Sequence, residues 1–99
     1  MDNYIFETFD KTGKKIRLTK RQWSHITTKH SDLSGKEEEI KNVLQKPDLI
    51  LPHKFDEKSR NYYKYDKSEK AYLLIAVKYL NGDGFVITSF YTKYIKKND

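Results

Sequence analysis

The sequence predicts an α+β domain, in which an N-terminal hairpin and two helices pack on a four-stranded antiparallel sheet. Three observations lead there. Two helix-capping signals, Thr19-x-x-Gln22 and Ser34-x-x-Glu37, fall in the first half of the chain. Beyond Pro47 the pattern changes to runs rich in Tyr, Ile and Val, separated by Asp, Asn and Gly. One of those runs, 71–80, is apolar on both faces for most of its length, as a central strand must be. No repeat, low-complexity tract or linker interrupts the 99 residues, so a single domain over 1–99 is expected.

The first element is a hairpin. Tyr4 to Phe9 and Lys14 to Leu18 flank Asp10-Lys11-Thr12-Gly13, whose Asp and Gly suit a type I turn closed by a left-handed residue. Thr19 then caps a helix, on which Trp23, Ile26 and His30 share one face while His25 lies nearer Arg21 and Lys29. Ser34 opens a second helix over about Gly35 to Gln45. Glu37, Glu38 and Glu39 sit in its first turns, where the helix dipole favours acids. Ile40, Val43 and Leu44 form its apolar stripe and Pro47 ends it. Strands follow at Leu49–Leu51, Asn61–Tyr65, Ala71–Tyr79 and Phe85–Thr92, the last pair joined by a turn at Asn81-Gly82-Asp83-Gly84. Helices on one sheet face leave the opposite face free as a binding surface.

Composition excludes several classes of function. No apolar run approaches the roughly 18 residues of a spanning helix, and the amino terminus lacks the basic and apolar parts of a signal peptide. With no cysteine there is no disulfide frame, thiolate metal site or Cys nucleophile, and an intracellular, cytoplasmic setting is the expectation. The net charge is +6, from 20 Lys and Arg against 14 Asp and Glu. It is unevenly placed: Lys11, Lys14, Lys15, Arg17, Lys20, Arg21 and Lys29 fall in an acid-free block from Lys11 to Ser31. Such a field recruits a polyanion, although a solvated basic surface has the same composition. A smaller basic tail holds Lys93, Lys96 and Lys97.

Three histidines, His25, His30 and His53, offer no i, i+4 pair for a helical zinc site; His25 and His30 are about 140° apart around a helix. No phosphate loop, nucleophile elbow or dinucleotide fingerprint occurs, and neither metal nor cofactor is expected. The remaining set suits phosphodiester chemistry on RNA, which carries its own nucleophile in the 2′-hydroxyl. Histidine can move the protons near neutral pH, and Lys, Arg, Tyr and Thr can hold the phosphoryl oxygens. His25 and His30 lie among basic residues on the first helix, Arg60, Tyr63 and Lys64 on one strand, and Thr88, Ser89 and Tyr91 on the last. Each has a plainer reading: His30 as a core-edge residue at the helix end, His25 as an exposed residue, and the tyrosines as cross-strand packing.

In order along the chain, "FDKTGKKIRLTKRQWSHITTKH", "VLQKPDLI", "NYYKY" and "YLLIAVKYLNGDGFVITSFYTKYIKK" resemble the phage-type nuclease domains of the barnase, EndoU, colicin and RelE (BECR-fold) group, over Phe6 to Lys96. The resemblance implies an RNase-like α+β fold and a metal-independent endoribonuclease. Carried over by position, it implies catalytic roles for His25, His30, Lys64, Thr88 and Tyr91. The chain departs from the group at His30-Ser31-Asp32, where His-Pro-Glu is usual, and at Thr88-Ser89-Phe90-Tyr91, where Thr-Ala precedes an aromatic residue. Lys14, Lys15, Arg17, Arg21, Arg60 and Tyr63 are the expected RNA-binding residues. A non-catalytic RNA- or protein-binding module on the same fold is the alternative, and a toxin-like domain held by a cognate antitoxin or immunity protein is compatible with the first reading.

Overall fold

The computed structural model describes residues 3–95, so Lys96 and Lys97 of the basic tail lie outside the described residues. Its elements run β1 (Tyr4–Phe9), β2 (Lys15–Thr19), α1 (Lys20–Lys29), a 3₁₀ turn (Ser31–Leu33), α2 (Glu37–Gln45), β3 (Leu49–Pro52), β4 (Ser59–Asp66), β5 (Ala71–Leu80) and β6 (Asp83–Thr92). The expected four-stranded meander is present as β3 to β6, with every neighbour antiparallel. The hairpin, however, does not pack on that sheet but extends it. The described residues form one six-stranded mixed sheet in the order β1-β2-β6-β5-β4-β3, with β2 parallel to β6.

Gly84 makes that junction. A side chain there would meet Val77 Cγ1 and Tyr79 Cε1 at 2.9 Å and Ile16 Cγ1 at 3.1 Å, so only glycine lets β2 close on β6. The turn between β5 and β6 is accordingly shorter than the sequence suggests. Asn81 and Gly82, both at positive φ, form it alone, and Asp83 and Gly84 belong to the strand.

Local chemistry explains the other boundaries. Asp10 Oδ1 accepts from Thr12 N, Thr12 Oγ1 and Lys14 N at 2.7–2.9 Å, closing the first hairpin turn as the Asp and Gly pattern predicts. Thr19 caps α1 by accepting from Gln22 N at 3.0 Å. Ser34 does not cap α2: the 3₁₀ turn ends on it and Gly35 turns at positive φ, so the helix starts at Glu37 rather than Gly35. Ile40, Val43 and Leu44 of α2 bury their stripe with Ile26 and Leu33 against Ile16, Leu18, Tyr62, Leu73, Ile75, Val77 and Val86. Fully burying one such aliphatic side chain contributes about 1.5–3 kcal/mol.

Strand alternation sorts the remaining residues by face. Arg60, Tyr62 and Lys64 of β4 stand opposite Val77, Ile75 and Leu73 on the helix-covered face, where Ser89 and Tyr91 also fall. Asn61, Tyr63, Leu74, Ala76, Thr88, Phe90 and Thr92 share the other, open face.

Candidate functional site

β2 meets β6 only through Ile16–Gly84 and Arg17–Phe85, which leaves the rest of β6 without a strand on that side. There α1 packs against it. A bulge at Ile87, where the register slips between Ala76 and Val77, takes the Ile87 carbonyl out of the regular ladder, and the Gln22 side-chain amide donates to it. Gln22 therefore ties the helix to the strand instead of completing a capping box. At the other end His30 leaves the helix. Its backbone N–H donates to Ile26 O at 2.7 Å, and its ring stacks on Phe90 with centroids 5.6 Å apart. His25 is exposed, one turn beyond Gln22, and Thr88 follows the bulge on the open face. Helix α1 and strand β6 thus bring His30 onto Phe90, on the face that also carries Thr88, while His25 stands exposed on the same helix.

Beside that ring contact lies a groove of about 610 Å³. Its floor is Tyr63 and Leu74, 3% and 7% exposed, and its walls include Phe90, Leu51, Asn61 and Thr92. The segment between β3 and β4 brings His53, Lys54 and Phe55 to one rim, and Tyr94 stands at another. Asp56 holds that segment: it accepts from Lys58 N at 3.0 Å and Ser59 Oγ at 2.9 Å, and pairs with Lys78 at 3.2 Å. The Lys58 and Ser59 hydrogen bonds, then Lys78, hold its carboxyl below the usual range.

The other expected site residues lie elsewhere. Lys64 is on the helix-covered face, its Nζ donating to the Lys46 carbonyl at 3.0 Å. Lys46 ends α2, so this cation meets the negative end of the helix dipole. Tyr91 is on the same face, accepting from Lys36 Nζ at 2.9 Å and donating to Asp66 Oδ2 at 3.2 Å. Burial raises its phenol above the ordinary range against the opposing pull of Lys36. The hollow beside Lys64 is lined by Glu38, Glu39 and Asp66, a rim that repels phosphate.

Among the expected RNA contacts, Arg17 is engaged by Glu7 at 2.5 Å and Asp83 at 2.9 Å, acids supplied from outside the acid-free block. Arg60 and Lys14 lie over the Tyr79 ring, at 5.1 and 5.5 Å from its centroid. Tyr79 itself belongs to a partly buried network in which Tyr62 and Tyr79 both donate to Asp10 Oδ2. Burial, and then the Asp10 charge, pushes Tyr79 up to about 12. Asp10 moves the other way: burial raises it, but the hydrogen bonds from Tyr62, Thr12, Lys14 and Tyr79 outweigh that and lower it. Lys15 is half-buried on β2, Arg21 is exposed on α1, and Tyr63 is in the groove floor.

Sequence reasoning passed over Asn61, Phe90, Phe55 and Tyr94, and weighed His53 only as a metal ligand. Phe55 did carry a signal, being an aromatic residue set within Lys54-Phe55-Asp56-Glu57-Lys58. Among the described residues, no three of His, Cys, Asp and Glu gather as a metal would need, and no helix is long and apolar enough to cross a membrane.

No curated protein and no solved structure matches the chain. The family described as phage-Barnase-EndoU-ColicinE5/D-RelE like nuclease2 matches it over residues 5–99. With nearly the whole described fold inside that match, the chain belongs to this nuclease family.

Proposed function

We propose that this nuclease cuts RNA without a metal, by attack of a 2′-hydroxyl on the adjacent phosphate. The O2′–P bond forms, the P–O5′ bond breaks, and the products are a 2′,3′-cyclic phosphate and a free 5′-hydroxyl. One of His25 and His30 takes the 2′-hydroxyl proton and the other gives a proton to the departing 5′-oxygen. The Thr88 hydroxyl donates to a non-bridging phosphoryl oxygen, where charge develops in the transition state. Exposed Arg21 and Lys29 on α1 draw the polyanion towards the α1–β6 flank.

The observation that carries the reading is the His30 ring stacked on Phe90 of β6, on the sheet face that carries the Thr88 hydroxyl, in a member of a nuclease family. Lys64 and Tyr91, tied to the Lys46 carbonyl and to Lys36 and Asp66, act in this scheme as supports of the fold and not as phosphate ligands. Incubation with RNA in excess chelator, with the product ends analysed, is the test. Cyclic phosphate ends that disappear in His25→Ala and His30→Ala are expected. RNA that is bound in a salt-sensitive way but left intact would overturn the reading in favour of a binding module.

A further inference from the structure

The groove beside His30 has features that phosphate chemistry alone does not require. Phe55 and Tyr94 are 85% and 79% exposed, come from opposite ends of the β3–β6 meander, and line the same groove. Neither contributes to the core. The backbone is fixed at both, at Phe55 by its N–H donating to His53 Nδ1 at 3.1 Å and by the Asp56 hydrogen bonds beside it. Tyr94 is held by the Thr92 hydroxyl, which donates to its carbonyl at 2.9 Å. The floor between them is apolar, and Asn61 adds an amide that can both donate and accept.

We propose that this groove is a subsite for one unpaired nucleobase of the strand being cut. Exposed rings carried on a hydrogen-bonded backbone are available to stack on a base, and such stacking tolerates any base. The Asn61 amide supplies the contact to the base edge that would favour one base over another. Lys54, whose Nζ lies 5.5 Å from the Phe55 ring centre, provides the cation for the phosphate attached to that base. Continuity with the proposed chemistry comes through Phe90, which lines the groove and carries the His30 ring. A base seated here brings its own phosphodiester to the flank holding His30 and Thr88. The acid-rimmed hollow under Lys64 offers no such match. A base in a duplex is stacked and paired, so the subsite selects single-stranded RNA.

This inference rests on the ribonuclease reading for its location but is tested apart from it. Fluorescence anisotropy with a 2′-O-methyl oligonucleotide, which cannot be cleaved by the proposed route, reads binding alone. Phe55→Ala and Tyr94→Ala are expected to weaken binding about tenfold each, with Phe55→Trp restoring it. Circular dichroism should be unchanged, because both side chains are exposed. A duplex probe should bind more weakly than the single strand and be insensitive to both substitutions. Single-strand affinity unchanged in the double variant would overturn the subsite even if RNA is cleaved. Self-association of the chain that is lost in these variants, with oligonucleotide affinity intact, would also overturn it and assign the groove to a second copy. Uncleaved RNA with binding that still depends on Phe55 and Tyr94 would sink the ribonuclease reading and leave the subsite supported.

Discussion

On the helix-covered face of the sheet, the polar groups of Asp10, Tyr62, Tyr79, Lys64 and Tyr91 are tied to fixed partners. On the open face, Phe55 and Tyr94 are exposed, and His30 has a ring contact with Phe90. The difference follows from solvation. A polar group removed from water, as the Tyr62 hydroxyl is, must find a protein partner or forfeit its desolvation energy, whereas the Lys64 bond lies in contact with solvent at the end of α2. The open face keeps water as a partner, and water is what a substrate can displace. Lys64 and Tyr91 have the chemistry of phosphate ligands, and each already has a protein partner.

Substitutions on the two faces should separate activity from stability. The largest effect is expected for His30→Ala and His25→Ala, each lowering RNA turnover by about 10²–10⁴-fold, the usual range for one acid or base. Their thermal midpoints should stay close to that of the parent, which differential scanning fluorimetry would check. Next comes Asp10→Ala, which leaves the buried Tyr62 phenol and the half-buried Tyr79 phenol without their acceptor. It should cost about 3 kcal/mol and lower the melting temperature by roughly 15 °C, while cleavage per folded molecule is unchanged. Lys64→Met and Tyr91→Phe should each cost about 0.5–1 kcal/mol in urea unfolding and leave turnover within about twofold. A hundredfold loss of turnover in either would break the distinction between the faces.

A smaller effect concerns acid. Because Asp10 is lowered in the folded chain, its contribution is fully present above the unfolded carboxylate value and is lost as pH falls through the folded one. Denaturant titrations from pH 5 downward should show stability falling, with a shallower fall in Asp10→Asn. Asp56 and Asp66 are lowered as well and act in the same direction, so the slope should flatten without vanishing.

Much of the local structure was legible because local chemistry decides it. The Thr19 cap, the Ile40–Val43–Leu44 stripe and the doubly apolar β5 depend on residues a few positions apart. The parallel β2–β6 pair was not legible, since it joins residues more than 60 positions apart and depends on Gly84, which in Asn81-Gly82-Asp83-Gly84 reads as part of a turn. Which face each candidate residue occupies was half legible. Period-two alternation already puts Tyr63 and Lys64 on opposite faces, but the Ile87 bulge resets the alternation on β6. That bulge sends Tyr91 towards Lys36 and Phe90 towards His30, and no local pattern in Thr88-Ser89-Phe90-Tyr91 announces it. The groove depends on two loops meeting across the sheet, which only the complete fold supplies.

We place the chemistry on the α1–β6 flank of the open face. Phosphorus NMR of a short RNA incubated in chelator tests it most directly, comparing the parent chain with His30→Ala and Tyr91→Phe. The expected result is a 2′,3′-cyclic phosphate resonance from the parent and Tyr91→Phe, and none over the same interval from His30→Ala. A cyclic phosphate signal that persists in His30→Ala and disappears in Tyr91→Phe would contradict the account and move the chemistry to the covered face.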